Sequence, residues 1–375
     1  MAKSMTTEEL ASRVDDAHSA PFILDVRAPD QFEAWQLEGR VRPETVNVPY
    51  WTAIVDDEET KALLPTDRDV VVVCAKGDSS ELVADTFGMD NVANLAGGMD
   101  DWATTLVPRA MHDDGTQVII QLDRIAKACL SYVVGERGAE VAVIDPAADV
   151  ATYLDIASDL DATITHIFDT HLHADHVSLA RELAEATGAE YHISEGDAFD
   201  ATYPYSALVD GEEFTFGDTK LIVRSVATPG HTPGSTSLEV EGRFLMTGDA
   251  VFVSGIGRPD LGGQTDPWAR DLFHTIHDRL AHLDHSLEVA PAHYTTRLEA
   301  KPDGTLRREL GDLLVNDSVV SIADEEEFVE YVVTHLGTPP GEYDEIRKIN
   351  LGIIEPTADQ VKELEVGRNE CALSG

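Results

Sequence analysis

The ten residues Asp169–Ser178, D-T-H-L-H-A-D-H-V-S, constrain this chain more than any other stretch. They crowd His171, His173, Asp175 and His176 together directly after the apolar run Ala162–Phe168, which reads as a buried strand ending in a loop. A lone histidine is usually a packed or solvated side chain. Several imidazoles and a carboxylate at one strand end instead suit a divalent transition metal, whose remaining ligands the fold must bring to the same place. His231 in T-P-G-H-T-P-G-S, Asp249 in M-T-G-D-A and His293 in A-P-A-H-Y are the candidates.

Taken in order, H-x-H-x-D-H, P-G-H-T-x-G, T-G-D and the late histidine resemble the metallo-β-lactamase fold superfamily over roughly residues 117–352. The resemblance implies an αββα sandwich, a layering that the alternation of strand pairs and helices also suits. It implies two uses of the same donors. In a dinuclear zinc hydrolase of the glyoxalase II type, His171, His173 and His231 hold one metal, Asp175, His176 and His293 the other, and Asp249 bridges them. Such a pair polarises a thioester carbonyl and supplies a hydroxide. In a persulfide dioxygenase a single Fe(II) is held by His171, His231 and Asp249, with one face open to O2 and a substrate sulfur. His173, Asp175, His176 and His293 then orient the ligands and bind water. The run A-V-F-V-S-G-I-G-R-P-D-L after Asp249 is similar to the G-R-x-D signature of persulfide dioxygenases. Iron is therefore the expected cofactor and zinc the alternative. Arg258 and Asp260 are candidates for substrate binding, or for an ion pair that closes the loop.

Upstream, Val70–Val73 reads as a fully buried strand that delivers Cys74 to the loop A-K-G-D-S-S, from which the helix E-L-V-A-D-T-F departs. Backbone N–H groups at a helix start favour a thiolate or persulfide. Together with L-D-V-R, V-N-V-P and L-A-G-G-M-D-D-W, the cysteine loop resembles a rhodanese domain over about residues 5–108. That resemblance implies that Cys74 carries a sulfane sulfur, and Cys74 and Asp175 are the candidate catalytic residues. Many rhodanese loops place an arginine where this chain has Ser79; Asp78 adds negative charge, and Lys76 is the cation left to meet a small anion.

The expected organisation is an α/β rhodanese-like domain over 1–108, a linker over 109–116 and a metallo-β-lactamase-fold domain over 117–375 with a helical C-terminal segment. A helix is expected over 6–18, and hairpins over C-L-S-Y-V-V-G with G-A-E-V-A-V-I-D-P and over Phe214–Val226. Cys129 reads as an inert strand residue and His192 as a packed or edge residue rather than a ligand. The closing P-P-G-E-Y-D-E-I-R-K-I-N-L-G is similar to a segment of sulfur-metabolising members of the superfamily.

With 375 residues, 43% of them hydrophobic, each half can bury its own core. The 27 basic and 70 acidic residues give a formal charge of −43, spread along the chain, so self-repulsion is severe at low salt and screened at high salt. This points to the cytoplasm of a salt-loving organism. It argues against nucleic-acid or anionic-membrane binding, since no basic stripe is present to neutralise phosphates. The N-terminus does not read as a signal peptide, and no apolar run is long enough to span a bilayer. Three cysteines without CxxC spacing indicate neither a disulfide framework nor a zinc knuckle. The expected partner is a small-molecule thiol persulfide or thioester, and a homodimer is left open.

Overall fold

Four consecutive valines, β-branched and apolar on both faces, have the composition of a strand covered on both sides. The computed structural model describes residues 3–16, 18–40, 42–217, 221–336, 341–367 and 371–373, and in it Val70–Val73 is the central strand of a parallel sheet. The chain forms two compact units, the first running to Val107 and taking in Arg124–Lys127, the second made chiefly of Pro108–Asp123 and Ala128–Glu365.

The first unit contains β1 (Lys3–Met5), α1 (Thr7–Val14), β2 (Phe22–Asp25), α2 (Pro29–Ala34), β3 (Thr45–Asn47), α3 (Tyr50–Val55), α4 (Asp57–Lys61), β4 (Val70–Val73), α5 (Asp78–Phe87), β5 (Val92–Leu95) and α6 (Gly98–Thr104). Its strands run in the order β1-β5-β4-β2-β3, all parallel. Val71 and Val73 face one apolar cluster with Leu10, Ile23, Leu95 and Trp102. Val70 and Val72 face another with Leu24, Val83 and Phe87, as the two-residue period of a strand requires. The helix expected over 6–18 is capped by the Thr6 hydroxyl, which accepts from the Glu9 N–H, and ends at Val14; Ala17 lies outside the described residues.

The second unit holds β6 (Val107–Asp113), β7 (Gln117–Arg124), β8 (Cys129–Glu136), β9 (Glu140–Ile144), α7 (Val150–Asp159), β10 (Thr163–Phe168), α8 (Ala180–Thr187), β11 (Glu190–Ile193), α9 (Glu195–Ala198) and β12 (Ser206–Ala207). Its second half holds β13 (Glu213–Phe216), β14 (Leu221–Ala227), β15 (Thr236–Val240), β16 (Phe244–Gly248), β17 (Ile256–Gly257), α10 (Thr265–His274), β18 (Glu288–Pro291), β19 (Arg308–Glu309), α11 (Leu310–Asn316), α12 (Glu325–His335), α13 (Tyr343–Asn350), α14 (Ala358–Leu364) and β20 (Ala372–Leu373). One seven-stranded sheet runs β12 to β6 in reverse chain order; a six-stranded sheet runs β13-β14-β15-β16-β18-β19.

The linker expected over 109–116 is corrected here. Residues 107–113 form β6, the edge strand of the seven-stranded sheet, and only the turn that follows is irregular. Its alternating exposure, with Met111 turned into the core, is the pattern of a half-covered edge strand that polar composition hid. The hairpin β8/β9 forms as expected, and so does β13/β14, whose turn residues 218–220 lie outside the described residues. Pro339 and Pro340 of the closing segment also lie outside them.

Between the sheets lies a core of Leu130, Tyr132, Ile144, Phe168, Phe216, Leu238, Phe244 and Met246. Leu245 and Val289 point the other way, into a second cluster with Leu272, Ile276, Leu313 and Phe328 of the covering helices. Strands β14 and β16 both run antiparallel to β15, and β18 runs parallel to β16. The carboxyl ends of β14, β16 and β18 therefore meet at one end of the sandwich. Phe168, the last residue of β10, is fully buried between the sheets just before Asp169. Replacing Phe168 by Ala is expected to lower unfolding stability by about 3–5 kcal/mol, read from the denaturant midpoint at high salt.

Candidate metal centre

Each strand end supplies part of one buried cluster. His171, His173, Asp175 and His176 follow β10, His231 follows β14, Asp249 follows β16 and His293 follows β18. All seven are at most 2% exposed. Gly248, at φ +52°, makes the turn that presents Asp249; a Cβ there would meet the Thr170 hydroxyl at 2.4 Å, so only glycine fits. The two sheets touch at this end, where Cys129 and His293 form an isolated antiparallel bridge and the Leu130 N–H donates to the Ala292 carbonyl at 2.6 Å.

The donors divide into groups. His171, His231 and Asp249 bring one ligand atom each within 4.8 Å of one another, and so do Cys129, Asp175, His176 and His293. His171 Nε2 lies 3.9 Å and His231 Nε2 3.6 Å from Asp249 Oδ2. Both imidazole nitrogens are buried without a hydrogen bond, an arrangement that costs on the order of 1–3 kcal/mol per group unless a ligand fills the space between them. His231 donates its other ring N–H to the Arg258 carbonyl at 2.8 Å, which fixes the tautomer that leaves Nε2 as an acceptor. His293 Nε2 lies 3.3 Å from Asp175 Oδ2 and 3.4 Å from Asp249 Oδ1, joining the two groups. His173 turns Nε2 toward Asp145 Oδ1 at 3.1 Å and leaves Nδ1 buried beside the His171 ring.

Electrostatics match this geometry. Burial pushes His171 well below the ordinary imidazole range and His231 down to about 3, so both stay neutral lone-pair donors. Burial, then the Asp175 charge, pushes Asp249 well up. A carboxylate in that position ionises readily only beside a cation. Burial alone would lower His173 too, but its hydrogen bond to Asp145 and the charges of Asp145, Asp169 and Asp175 raise it to about 10. The donor set and its vacant nitrogens fit a divalent metal.

Backbone position is set by side chains that sequence reading did not single out. Asp197 accepts from the Leu172 N–H at 2.8 Å, the Gly234 N–H at 2.8 Å and the Thr232 hydroxyl at 2.6 Å, tying the loop of His171 to the loop of His231. Asn350 donates to the carbonyls of His173 and His176 and accepts from the Ser178 N–H, each at 2.9 Å. Asp169 accepts from Ser178 and Tyr191, each at 2.8 Å. Their signal lies in the tertiary structure, although Asp169 opens the D-T-H-L-H-A-D-H-V-S stretch and Asn350 stands inside the closing segment. Cys129 was expected to be inert. The structure places its thiol 3.5 Å from Asp175 Oδ2, inside the second donor group. Cys371 joins Asp249 and His293 in the same way.

Arg258 and Asp260 pair with each other at 2.7 and 2.9 Å, and Arg258 is 4% exposed. In the first unit, Cys74 Sγ sits 3.1 Å from both the Gly77 N–H and the Ser80 hydroxyl, just ahead of α5, whose N-cap Gly77 adopts φ +94°. Lys76 is exposed.

Two helix-covered mixed sheets with buried imidazoles and carboxylates at one end define the class of metal-binding αββα sandwiches. The metallo-beta-lactamase superfamily profile matches residues 124–293, and the rhodanese-like domain profile matches residues 6–105. The chain belongs to the metallo-β-lactamase superfamily and carries a rhodanese-like domain on its N-terminal side. It is 37% identical over 198 residues to hydroxyacylglutathione hydrolase of Anaeromyxobacter dehalogenans, covering 51% of this chain and 73% of the relative. It is 30% identical over 186 residues to the mitochondrial persulfide dioxygenase ETHE1 of Bos taurus, covering 48% and 69%. The crystal structure of ETHE1 from Myxococcus xanthus superposes with a TM-score of 0.54 at 26% identity, over 66% of this chain and 99% of that one. Among the described residues no helix is long and apolar enough to cross a membrane.

Two outcomes test this description. Asp197→Asn places an NH2 group against N–H donors and is expected to weaken metal binding about tenfold, measured by competition with a chromophoric chelator, while the protein stays folded. His192 is held down to about 4 by burial. Unfolding therefore lets His192 take up a proton as pH falls below about 6.5, so its contribution to stability is lost progressively toward pH 4 and is unchanged above pH 6.5. Metal-free wild type is expected to lose stability relative to His192→Gln over that window, by at most on the order of 3 kcal/mol, in urea unfolding.

Proposed function

We propose that this chain oxidises a low-molecular-weight thiol persulfide to sulfite with O2 at one iron held by His171, His231 and Asp249. The observation that carries the reading is the division of the donors: these three converge with two bare imidazole nitrogens, whereas His173 faces Asp145. Two histidines and one carboxylate are the ligand set of non-haem iron oxygenases, and bound Fe(II) would supply open positions for O2 and sulfur. The balanced reaction is RSSH + O2 + H2O → RSH + SO3²⁻ + 2H⁺. His231 is oriented by the Arg258 carbonyl, and neutral His171 and His231 offer lone pairs at physiological pH. Asp175, His176 and His293 line the same pocket as polar groups for water and for the protons released, with Asp175 as the candidate catalytic carboxylate. The Arg258–Asp260 pair braces the segment that carries that carbonyl, and a role in substrate binding passes through this bracing.

The rhodanese-like domain supports the same chemistry. Cys74, cradled by the Gly77 N–H, would hold the sulfane sulfur that the metal domain consumes or supplies. We assign residues 1–108 to this domain, with Lys76 as the anion-facing cation of its loop, and the rest to the metal domain. The acidic composition suits a salt-rich cytoplasm. A second reading, thioester hydrolysis at a dinuclear zinc centre, draws on the second donor group and on the hydroxyacylglutathione hydrolase relative.

Iron-loaded protein at high salt is expected to consume O2 and form sulfite when given a small-molecule persulfide. His171→Ala should abolish both; Cys74→Ser should abolish sulfur transfer and leave O2 uptake intact. Thioester cleavage by the zinc form without O2 uptake would move the chain to the second reading.

A further inference from the structure

A separate set of donors sits at the margin of the sandwich. His166 on β10 pairs in register with Glu190 on β11, and Phe168 pairs with His192. The two-residue period therefore places His166, Glu190 and His192 on one face of two adjacent parallel strands, at neighbouring positions. One ligand atom from each lies within 4.8 Å of the others. The two imidazoles stack with centroids 5.2 Å apart, and Phe214 meets their edges at 5.7 and 4.9 Å.

Packing alone does not account for these residue types. His192 is 4% exposed, and its Nε2 is buried without a hydrogen bond, a cost that a phenylalanine at this aromatic position would avoid. The other two donors are each oriented by one hydrogen bond that leaves a second atom available. His166 Nδ1 meets the Thr165 hydroxyl at 3.0 Å, which leaves Nε2; Glu190 Oε1 accepts from the Ser206 hydroxyl on β12, which leaves Oε2. Such outer partners fix the direction of metal ligands. Burial keeps both imidazoles neutral near pH 7, and Glu190, lowered by the Ser206 hydroxyl, is ionised.

We propose that His166, Glu190 and His192 form a second, independent site for a divalent transition metal of the zinc, cobalt or nickel type, with its remaining position open to water. Two nitrogens and one carboxylate oxygen select such ions over magnesium or calcium. Loading the site ties β10, which leads into the His171 loop, to its neighbour β11.

The test is calorimetric titration of chelator-stripped full-length protein with Zn2+ alone. Wild type is expected to bind one more equivalent, with micromolar affinity, than the His166→Gln, Glu190→Gln double variant. The same additional equivalent should persist in a His171→Ala, Asp249→Ala background and should raise Tm there. Glu190 is exposed and His166 only partly buried, so their replacement by glutamine disturbs the core less than a change at His192 would. Equal stoichiometry in wild type and the double variant, or an additional equivalent bound only at millimolar zinc, overturns the proposal. The comparison holds whether the His171 centre takes one metal or two, because only the difference between proteins is read.

Discussion

Seven ionisable side chains share one pocket at no more than 2% exposure each, and the second unit is arranged around making that tolerable. Burying carboxylates and imidazoles without water is costly unless they are paired, hydrogen-bonded or bound to a cation. Here the negative groups compete: Asp175 is held well down by the His293 and His176 charges against burial, while Asp249 is driven well up by burial and by Asp175. A divalent ion between them relieves both effects. The scaffold answers the same pressure from outside, with Asp197 and Asn350 absorbing backbone N–H and C=O groups of the ligand loops that would otherwise be stranded.

The donors themselves were readable in the chain because metal chemistry restricts residue type and strand ends restrict position. His171 to His176 stand in one local motif, and His231, Asp249 and His293 each close or follow a strand with its own turn residues. What surrounds them was not readable. Asp197 and Asn350 act over 25 and 177 positions of chain, and no local pattern marks a carboxylate or amide that will fold back so far. Cys129 looked like a strand thiol because its neighbours are strand residues; its proximity to Asp175 exists only once β8 and β10 are assembled in one sheet.

The edge strand β6 failed to show for a related reason. Its charged and small residues satisfy an exposed face, and its strand character comes from pairing with the rest of the sheet. In the first unit the match between sequence and structure is closer. Every strand there is parallel, and the inner strands β2 and β4 are buried throughout, so apolar runs such as the four valines leave little choice of conformation, and the cysteine loop follows from the strand and helix that bracket it.

The donors come from both sheets, from a loop near residue 171 to a strand end at 293, joined across the Cys129–His293 bridge. The local motif holds only part of the donor set, so the complete site cannot assemble before the long-range pairings exist, and such pairings form late because loop closure must precede them. The ion is thus a passenger that boards a finished vessel rather than a template for building it. Which ion boards is decided by what the cell offers to a folded pocket, so the chemistry this chain performs depends on metal supply as well as on its ligands.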